Sequence, residues 1–367
     1  MFGPIPSCRG NEPMTSAGKN KEIHSLPVAL WPAADRAAWK EACRPAVRLT
    51  AGGSASHMRP VSQIDLAKRY GLFLDFLSRL GTLDPEAAPS AQVTPDHVEQ
   101  YVSELNRRVT SVTVYGSIQK LRRMTQLIAP ERDVAWLIEI ERDLFSAMRP
   151  KSKWDRVVLT EIVVEAGLTL FAEGQTAPKL PKLTRARMVR NGLMIALLAQ
   201  YPIRLKNFAA LKIGRSLVKG DGVWWIILTA DETKEKRADE REIANYIGEA
   251  IDKYVDAYRP ILARGKNPGP ALWLVMAGEP MSECFVREAI TETTRSTLGV
   301  PINPHMFRTN AATTAAIHAG DQPRLGSAVL HHTAHGTVTQ ENYNRSSGIS
   351  ASRALSDVVR QYRNGST

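Results

Sequence analysis

Apolar residues recur at helical spacing in four successive stretches between Gln63 and Met148, and this recurrence limits the region to a small helical bundle. In the first stretch Leu66, Tyr70, Phe73, Leu74, Leu77 and Leu80 share one face. Thr94 and Pro95 then form an N-cap and first-turn pair, followed by Val98, Tyr101, Val102 and Leu105. A third helix from about Ser111 turns Val114, Ile118, Leu121 and Ile128 inward and shows Lys120, Arg122 and Arg123 elsewhere. The fourth, near Trp136 to Met148, repeats Leu137, Ile140, Leu144 and Met148. Residues 59–148 are therefore expected to form a compact helical domain.

The chain on either side has a different character. Residues 1–58 are rich in Pro, Gly, Ser and Ala without sustained periodicity, which predicts a flexible arm with a short helix around Ala34 to Cys43. Residues 149–154 begin Arg-Pro-Lys-Ser-Lys, a basic stretch with a helix breaker, and are expected to be a linker. A long apolar helix follows over about Arg185 to Gln200 and stops near Pro202. Leu217-Val218 and Val223 to Leu228 flank Lys219-Gly220-Asp221-Gly222, which predicts a hairpin. A polar turn from Thr229 to Glu240 leads to a third strand near Arg241 to Ile243. Helices dominate the remainder, so the expected fold is mainly α with a small antiparallel sheet (α+β). No internal repeat is visible.

Composition excludes several classes. Of the 367 residues, 43% are hydrophobic and 23% charged, ordinary values for a chain that buries a real core. The longest apolar runs, such as Leu193 to Ala199, fall far short of the ~18 residues of a membrane span. Cys8, Cys43 and Cys284 are scattered without a CxxC pair, which predicts neither a disulfide framework nor a cysteine zinc site and fits a reducing, cytosolic compartment. The first residues lack a basic segment followed by an apolar stretch, so no signal peptide is predicted. The net charge of +11 points to a polyanionic partner, nucleic acid ahead of membrane.

Three segments carry candidate chemistry. In Asn303-Pro304-His305-Met306-Phe307-Arg308, Asn303 suits an N-cap and Pro304 the first helical position, so His305 and Arg308 lie in the first turns of a helix. Two cations beside the positive end of a helix are electrostatically awkward unless an anion joins them. Arg204 sits where one helix breaks and another begins, and Leu205, Phe208 and Ala209 pin it near buried structure. Arginine is the usual bidentate partner of phosphate. Lys234 and Lys236 lie in the polar turn after the second strand. Near the end come Leu330-His331-His332 and, after His335, Tyr343. The three histidines lack the carboxylate or cysteine cluster that would complete a tetrahedral zinc set.

In their order and spacing, Arg204, a lysine in the sheet turn, His305-x-x-Arg308, His332 and Tyr343 resemble the tyrosine recombinase (phage integrase) family. The helical domain resembles that family's core-binding domain, so the likeness covers about three quarters of the chain. The resemblance implies a catalytic domain over 155–347 and a C-shaped clamp on double-stranded DNA. It implies a last segment, 348–367, docking on a neighbouring protomer of a homo-tetramer, with accessory or partner recombinases. Tyr343 would be the nucleophile, Arg204 and Arg308 the phosphate clamp, His305 a proton acceptor, His332 a hydrogen-bond donor and Lys234 the general acid. Lys236 remains a rival to Lys234, and His331 to His332. No cofactor or metal is implied. The function implied is site-specific recombination that integrates or excises a mobile element in a bacterial cytoplasm. The alternatives are an inactive DNA-binding regulator or accessory subunit, and a type IB topoisomerase-like enzyme. The chain departs from the family in carrying Asn207 where an acidic residue is common, and His331 where glycine is usual.

Overall fold

The computed structural model describes residues 24–152, 154–234 and 236–318. The chain divides into two compact units that meet in sequence between residues 152 and 153.

The first unit is helical: α1 (Ala33–Ala42), α2 (Pro60–Leu80), α3 (Pro95–Arg108), α4 (Ser111–Ile128) and α5 (Ala135–Ser146). Local chemistry sets the boundaries. Pro60 opens α2, and Gly81 closes it with φ 75°, while Thr82 N–H reaches back to the Leu77 carbonyl at 3.0 Å. The Thr94 hydroxyl accepts from His97 N–H at 3.3 Å, with Pro95 in the first helical position of α3. The inward faces predicted from periodicity are buried, with Tyr70, Phe73, Leu74 and Leu77 of α2 packed against Tyr101, Ile118 and Leu121.

Residues 24–58 depart from the arm that their composition predicts. Trp31 and Trp39 are only 3% and 6% exposed, and with Ala42 and Ala55 they belong to the helical unit's core. Trp31 meets Tyr70 edge-on at 5.0 Å between ring centroids, and its indole N–H donates to the Leu26 carbonyl at 2.9 Å. Leu26 N–H in turn donates to the Gly71 carbonyl at 3.0 Å. The incoming chain lies so close to α2 that a Cβ at Gly71 would stand 2.4 Å from the Leu26 carbonyl oxygen. Two tryptophans bury enough apolar surface to order a segment that has no periodic stripe.

A buried polar network fastens this segment. Asp35 is 1% exposed and accepts from the Tyr70 hydroxyl at 2.9 Å and from Ser90 N–H at 2.6 Å. Ser90 Oγ donates to Thr125 Oγ1 at 2.9 Å, and Arg132 donates to the Ser90 carbonyl. Burial raises the Asp35 carboxyl above its ordinary 3.8, against its hydrogen bonds and Arg132, which lower it. A raised folded-state value means that stability from this group is fully present below the unfolded value and declines as pH rises through the folded one. Asp35→Asn is therefore expected to be at least as stable as the parent at pH 7, with the difference closing towards pH 4. Asp35→Leu strands two buried donors and is expected to cost about 1–3 kcal/mol for each. Urea denaturation of both variants at the two pH values checks this.

The second unit contains α6 (Thr160–Thr176), α7 (Lys182–Gln200), α8 (Leu205–Ala209), the strands β1 (Leu217–Gly220), β2 (Val223–Leu228) and β3 (Asp239–Glu242), then α9 (Asn245–Lys253), α10 (Arg259–Ala263), α11 (Glu283–Leu298) and α12 (Pro304–His318). The three strands form one antiparallel sheet in sequence order, with Leu217 opposite Ile226 and Trp225 opposite Glu242. The expected hairpin is tighter than its polar residues indicate. Lys219 and Gly220 pair within β1, and the loop is Asp221-Gly222 alone, both with positive φ (51° and 82°). Helix α7 is the spine, with residues 193–199 all buried. It presses on α6 where a Cβ at Gly192 would stand 2.5 Å from the Gly167 carbonyl. Arg190 of α7 is buried and pairs with no carboxylate among the described residues. It donates to the Leu274 carbonyl at 2.6 Å and to Asn191 Oδ1, and burial lowers it to about 10. The architecture is the mostly helical one with a small antiparallel sheet that the sequence predicts.

Candidate active site

Helix α7 ends at Gln200 because the residue before a proline, here Tyr201 before Pro202, is disfavoured in helical geometry. After Pro202 and Ile203 the chain turns into α8 with Arg204 at its N-cap, in extended geometry (φ −65°, ψ 141°). The Arg204 carbonyl accepts from Asn207 N–H and Phe208 N–H, both at 2.9 Å. Buried Phe208 is held from the other side, its carbonyl accepting from the Trp273 indole N–H at 2.8 Å. Arg204 thus has a half-buried side chain on a fixed backbone.

Helix α12 begins as its sequence predicts. Asn303 Oδ1 accepts from His305 N–H at 3.1 Å and from Met306 N–H at 3.2 Å, and Pro304 is the first helical residue. Met306 and Phe307 enter the core. His305 is exposed, whereas Arg308 is 7% exposed and donates from Nη1 to the Pro202 carbonyl at 2.5 Å. That carbonyl lies two residues before Arg204, a backbone span of at most ~7 Å. One hydrogen bond across 106 positions therefore brings the Arg308 helix to the corner that carries Arg204. His305 and Arg308, both in the first turns of α12 as expected, thus differ, one side chain exposed and the other buried.

Lys234 is exposed on the turn between β2 and β3. Its predecessor Thr233 is buried and closes the turn. The Thr233 hydroxyl lies 2.7 Å from the Arg237 carbonyl and accepts from Arg237 N–H at 3.1 Å. Lys234 therefore projects from a pinned position. Lys236 sits in left-handed geometry (φ 56°) and pairs with Asp231 at 3.3 Å. The far end of β3 is tied to the Arg204 corner through Ala244 N–H, which donates to the Tyr201 hydroxyl at 2.7 Å. Burial raises the Tyr201 phenol, so this neighbour of Arg204 is a neutral brace.

The Arg308 side chain thus reaches the turn that carries Arg204, His305 stands at the exposed start of α12, and Lys234 stands on a separate turn of the sheet. His331, His332, Tyr343 and the expected final segment 348–367 lie outside the described residues. Sequence reasoning missed the Pro202 carbonyl and the pin at Thr233. The proline that stops α7 was the available signal for the first. Among the described residues there is no cluster of His, Cys, Asp and Glu suited to a metal, and no helix is long and apolar enough to cross a membrane.

No protein-family model and no curated protein matches the sequence. Among solved structures, the chain is similar to the XerH site-specific recombinase bound to its difH substrate in a pre-cleavage complex. The two are 12% identical, the match covers 88% of this chain and 95% of that one, and the TM-score is 0.53. It is likewise similar to the Tn1549 transposon integrase in complex with transposon right end DNA, at 15% identity, 82% and 96% coverage and a TM-score of 0.52. With its helical unit and its mostly helical second unit around one small antiparallel sheet, the chain has the fold of the tyrosine recombinases.

Proposed function

We propose that this chain is a site-specific DNA recombinase that cleaves and rejoins duplex DNA through a 3′-phosphotyrosyl intermediate. The observation that supports the reading is the hydrogen bond from buried Arg308 to the Pro202 carbonyl, two residues before the half-buried Arg204. Two forked guanidiniums held by the fold suit the non-bridging oxygens of a phosphodiester, whose charge they stabilise as it becomes pentacoordinate.

In this reading the Tyr343 hydroxyl attacks the scissile phosphorus and the bond from phosphorus to the 5′-oxygen breaks. The phenol, with an ordinary pKa of about 10, passes its proton to His305. The leaving 5′-oxygen receives one from Lys234, and His332 donates a hydrogen bond to the phosphate. The phosphotyrosyl link conserves the energy of the broken bond, so rejoining by the reverse attack needs no external energy source. The remaining family features belong to the same proposal: a homo-tetramer on two duplexes, contacts in trans by residues 348–367, accessory recombinases, and service to a mobile element.

The helical unit supports the DNA part. Helix α4 contains no acidic residue, and its side chains divide by role. Lys120 pairs with Asp65 and Arg122 with Glu141, while Arg123 and Gln119 are exposed one turn apart. Arg123→Ala is therefore expected to weaken duplex binding uniformly across sequences and to reduce the slope of log K against log salt by about 0.9. Arg122→Ala is expected to act through the stability of the α4–α5 contact instead. Fluorescence anisotropy over a salt series separates the two.

The function itself is tested with nicked duplexes made from the DNA that flanks the gene, incubated with the full chain and denatured. A denaturant-resistant protein–DNA adduct is expected. Its absence across the whole set, with binding intact, contradicts strand cleavage.

A further inference from the structure

The hairpin loop that carries Lys234 runs from 229 to 238, since Leu228 of β2 pairs with Asp239 of β3. A polar surface loop ordinarily leaves its side chains in water. Thr233 departs from that. At 2% exposed, it is the one buried residue of this loop among those described. Its hydroxyl accepts from Arg237 N–H at 3.1 Å and faces two carbonyls, Arg237 at 2.7 Å and Ala230 at 3.1 Å, to either of which it can donate. One side chain thus joins the limb of the loop before Lys234 to the limb after it. A second brace holds the first limb, where Glu232 Oε2 accepts from Thr229 N–H at 2.9 Å and from the Thr229 hydroxyl at 3.1 Å. Closing a hairpin tolerates a loosely ordered loop, so the sheet itself does not require this fastening.

We propose that Thr233 is a positioning residue for Lys234, its buried hydroxyl fixing the backbone from which Lys234 reaches the leaving 5′-oxygen. The proposal rests on the recombinase reading, in which Lys234 is the general acid. Lys234 is exposed, and its flexible four-carbon stem samples many rotamers. A mobile loop would multiply those rotamers by its own backbone states. A general acid acts only within hydrogen-bond reach of the atom it protonates. Holding the adjacent residue fixed therefore raises the share of time that the ammonium spends there. Thr233 itself touches neither DNA nor the reacting atoms in this scheme.

Single-turnover adduct formation by the full chain tests this on two nicked duplexes. One is ordinary, and the other has sulfur in place of the 5′-oxygen at the phosphate that the parent cleaves. When the phosphorus–sulfur bond breaks, sulfur keeps the bonding pair and leaves as a thiolate without a proton, because a thiol ionises near pH ~8.5, far below an alcohol. Thr233→Val keeps the shape of the side chain and loses its hydroxyl. It is expected to slow attachment to the ordinary duplex about tenfold, to match the parent within about twofold on the sulfur duplex, and to bind both equally well. Lys234→Ala is expected to show the same pattern with a loss of about 10²-fold or more. Thr233→Ser, which keeps the hydroxyl, should stay within about threefold of the parent on both duplexes. A slow Thr233→Val that sulfur does not rescue marks a merely structural residue and overturns the proposal. So does a parent-like rate on the ordinary duplex, or rescue of Lys236→Ala in place of Lys234→Ala. If Thr233→Val fails to fold, Thr233→Ala carries the test with the same expectations. Failure of the parent to attach to the ordinary duplex removes the recombinase reading and this proposal with it, whereas the other outcomes leave that reading standing.

Discussion

Arg308→Ala is expected to slow covalent attachment to DNA by about 10²–10³-fold, the cost of losing one preorganised donor to the charge that develops at the phosphate. Duplex affinity should change little, because it is spread over many exposed basic residues and this guanidinium is buried. The substitution also leaves the Pro202 carbonyl without its donor, worth about 1–3 kcal/mol where that oxygen stays dry. Arg308→Lys retains the charge but loses the planar fork, so it should recover only part of the rate. Single-turnover adduct formation, with circular dichroism to show that the variant is folded, measures this. A folded Arg308→Ala variant within twofold of the parent rate would exclude the phosphate clamp.

Trp39→Ala should have the largest effect on stability. The side chain is almost wholly buried in the helical unit's core, and truncating such a residue costs about 3–5 kcal/mol. Set against the ~5–15 kcal/mol that hold a typical domain together, that loss removes a large share of the helical unit's stability. Urea denaturation followed by tryptophan fluorescence checks it. A midpoint equal to the parent's would mean that residues 24–58 contribute nothing to the core, as expected of a flexible arm.

Those residues show where sequence reading fails. The helices α2 to α5 are legible because each buries a continuous stripe at 3.6-residue spacing. The segment 24–58 buries isolated anchors, Trp31 and Trp39, between prolines and glycines, so composition speaks for disorder while packing decides for order. The missed signal was the tryptophans themselves, which rarely remain in a solvated arm. The hairpin was legible because Asp-Gly demands positive φ at both loop positions. Asn303 and Pro304 were legible because capping chemistry is local. The meeting of Arg308 with the Pro202 carbonyl was not, since it joins residues 106 apart and no periodicity records such a bond. The spacing of His305 and Arg308 gave their shared helix but not their unequal burial, which depends on what the corner at Arg204 supplies.

The central claim is that a tyrosine of this chain becomes covalently joined to DNA, and one measurement reaches it directly. Parent and Tyr343→Phe are incubated with the same nicked duplexes, the adducts are isolated under denaturing conditions, and the nucleotide-bearing peptide is sequenced by mass spectrometry. The parent should yield one modified peptide, with the 3′-phosphate carried on Tyr343, and Tyr343→Phe should yield none while binding the duplex equally well. An adduct on any other residue, or as much adduct from Tyr343→Phe as from the parent, would contradict the account.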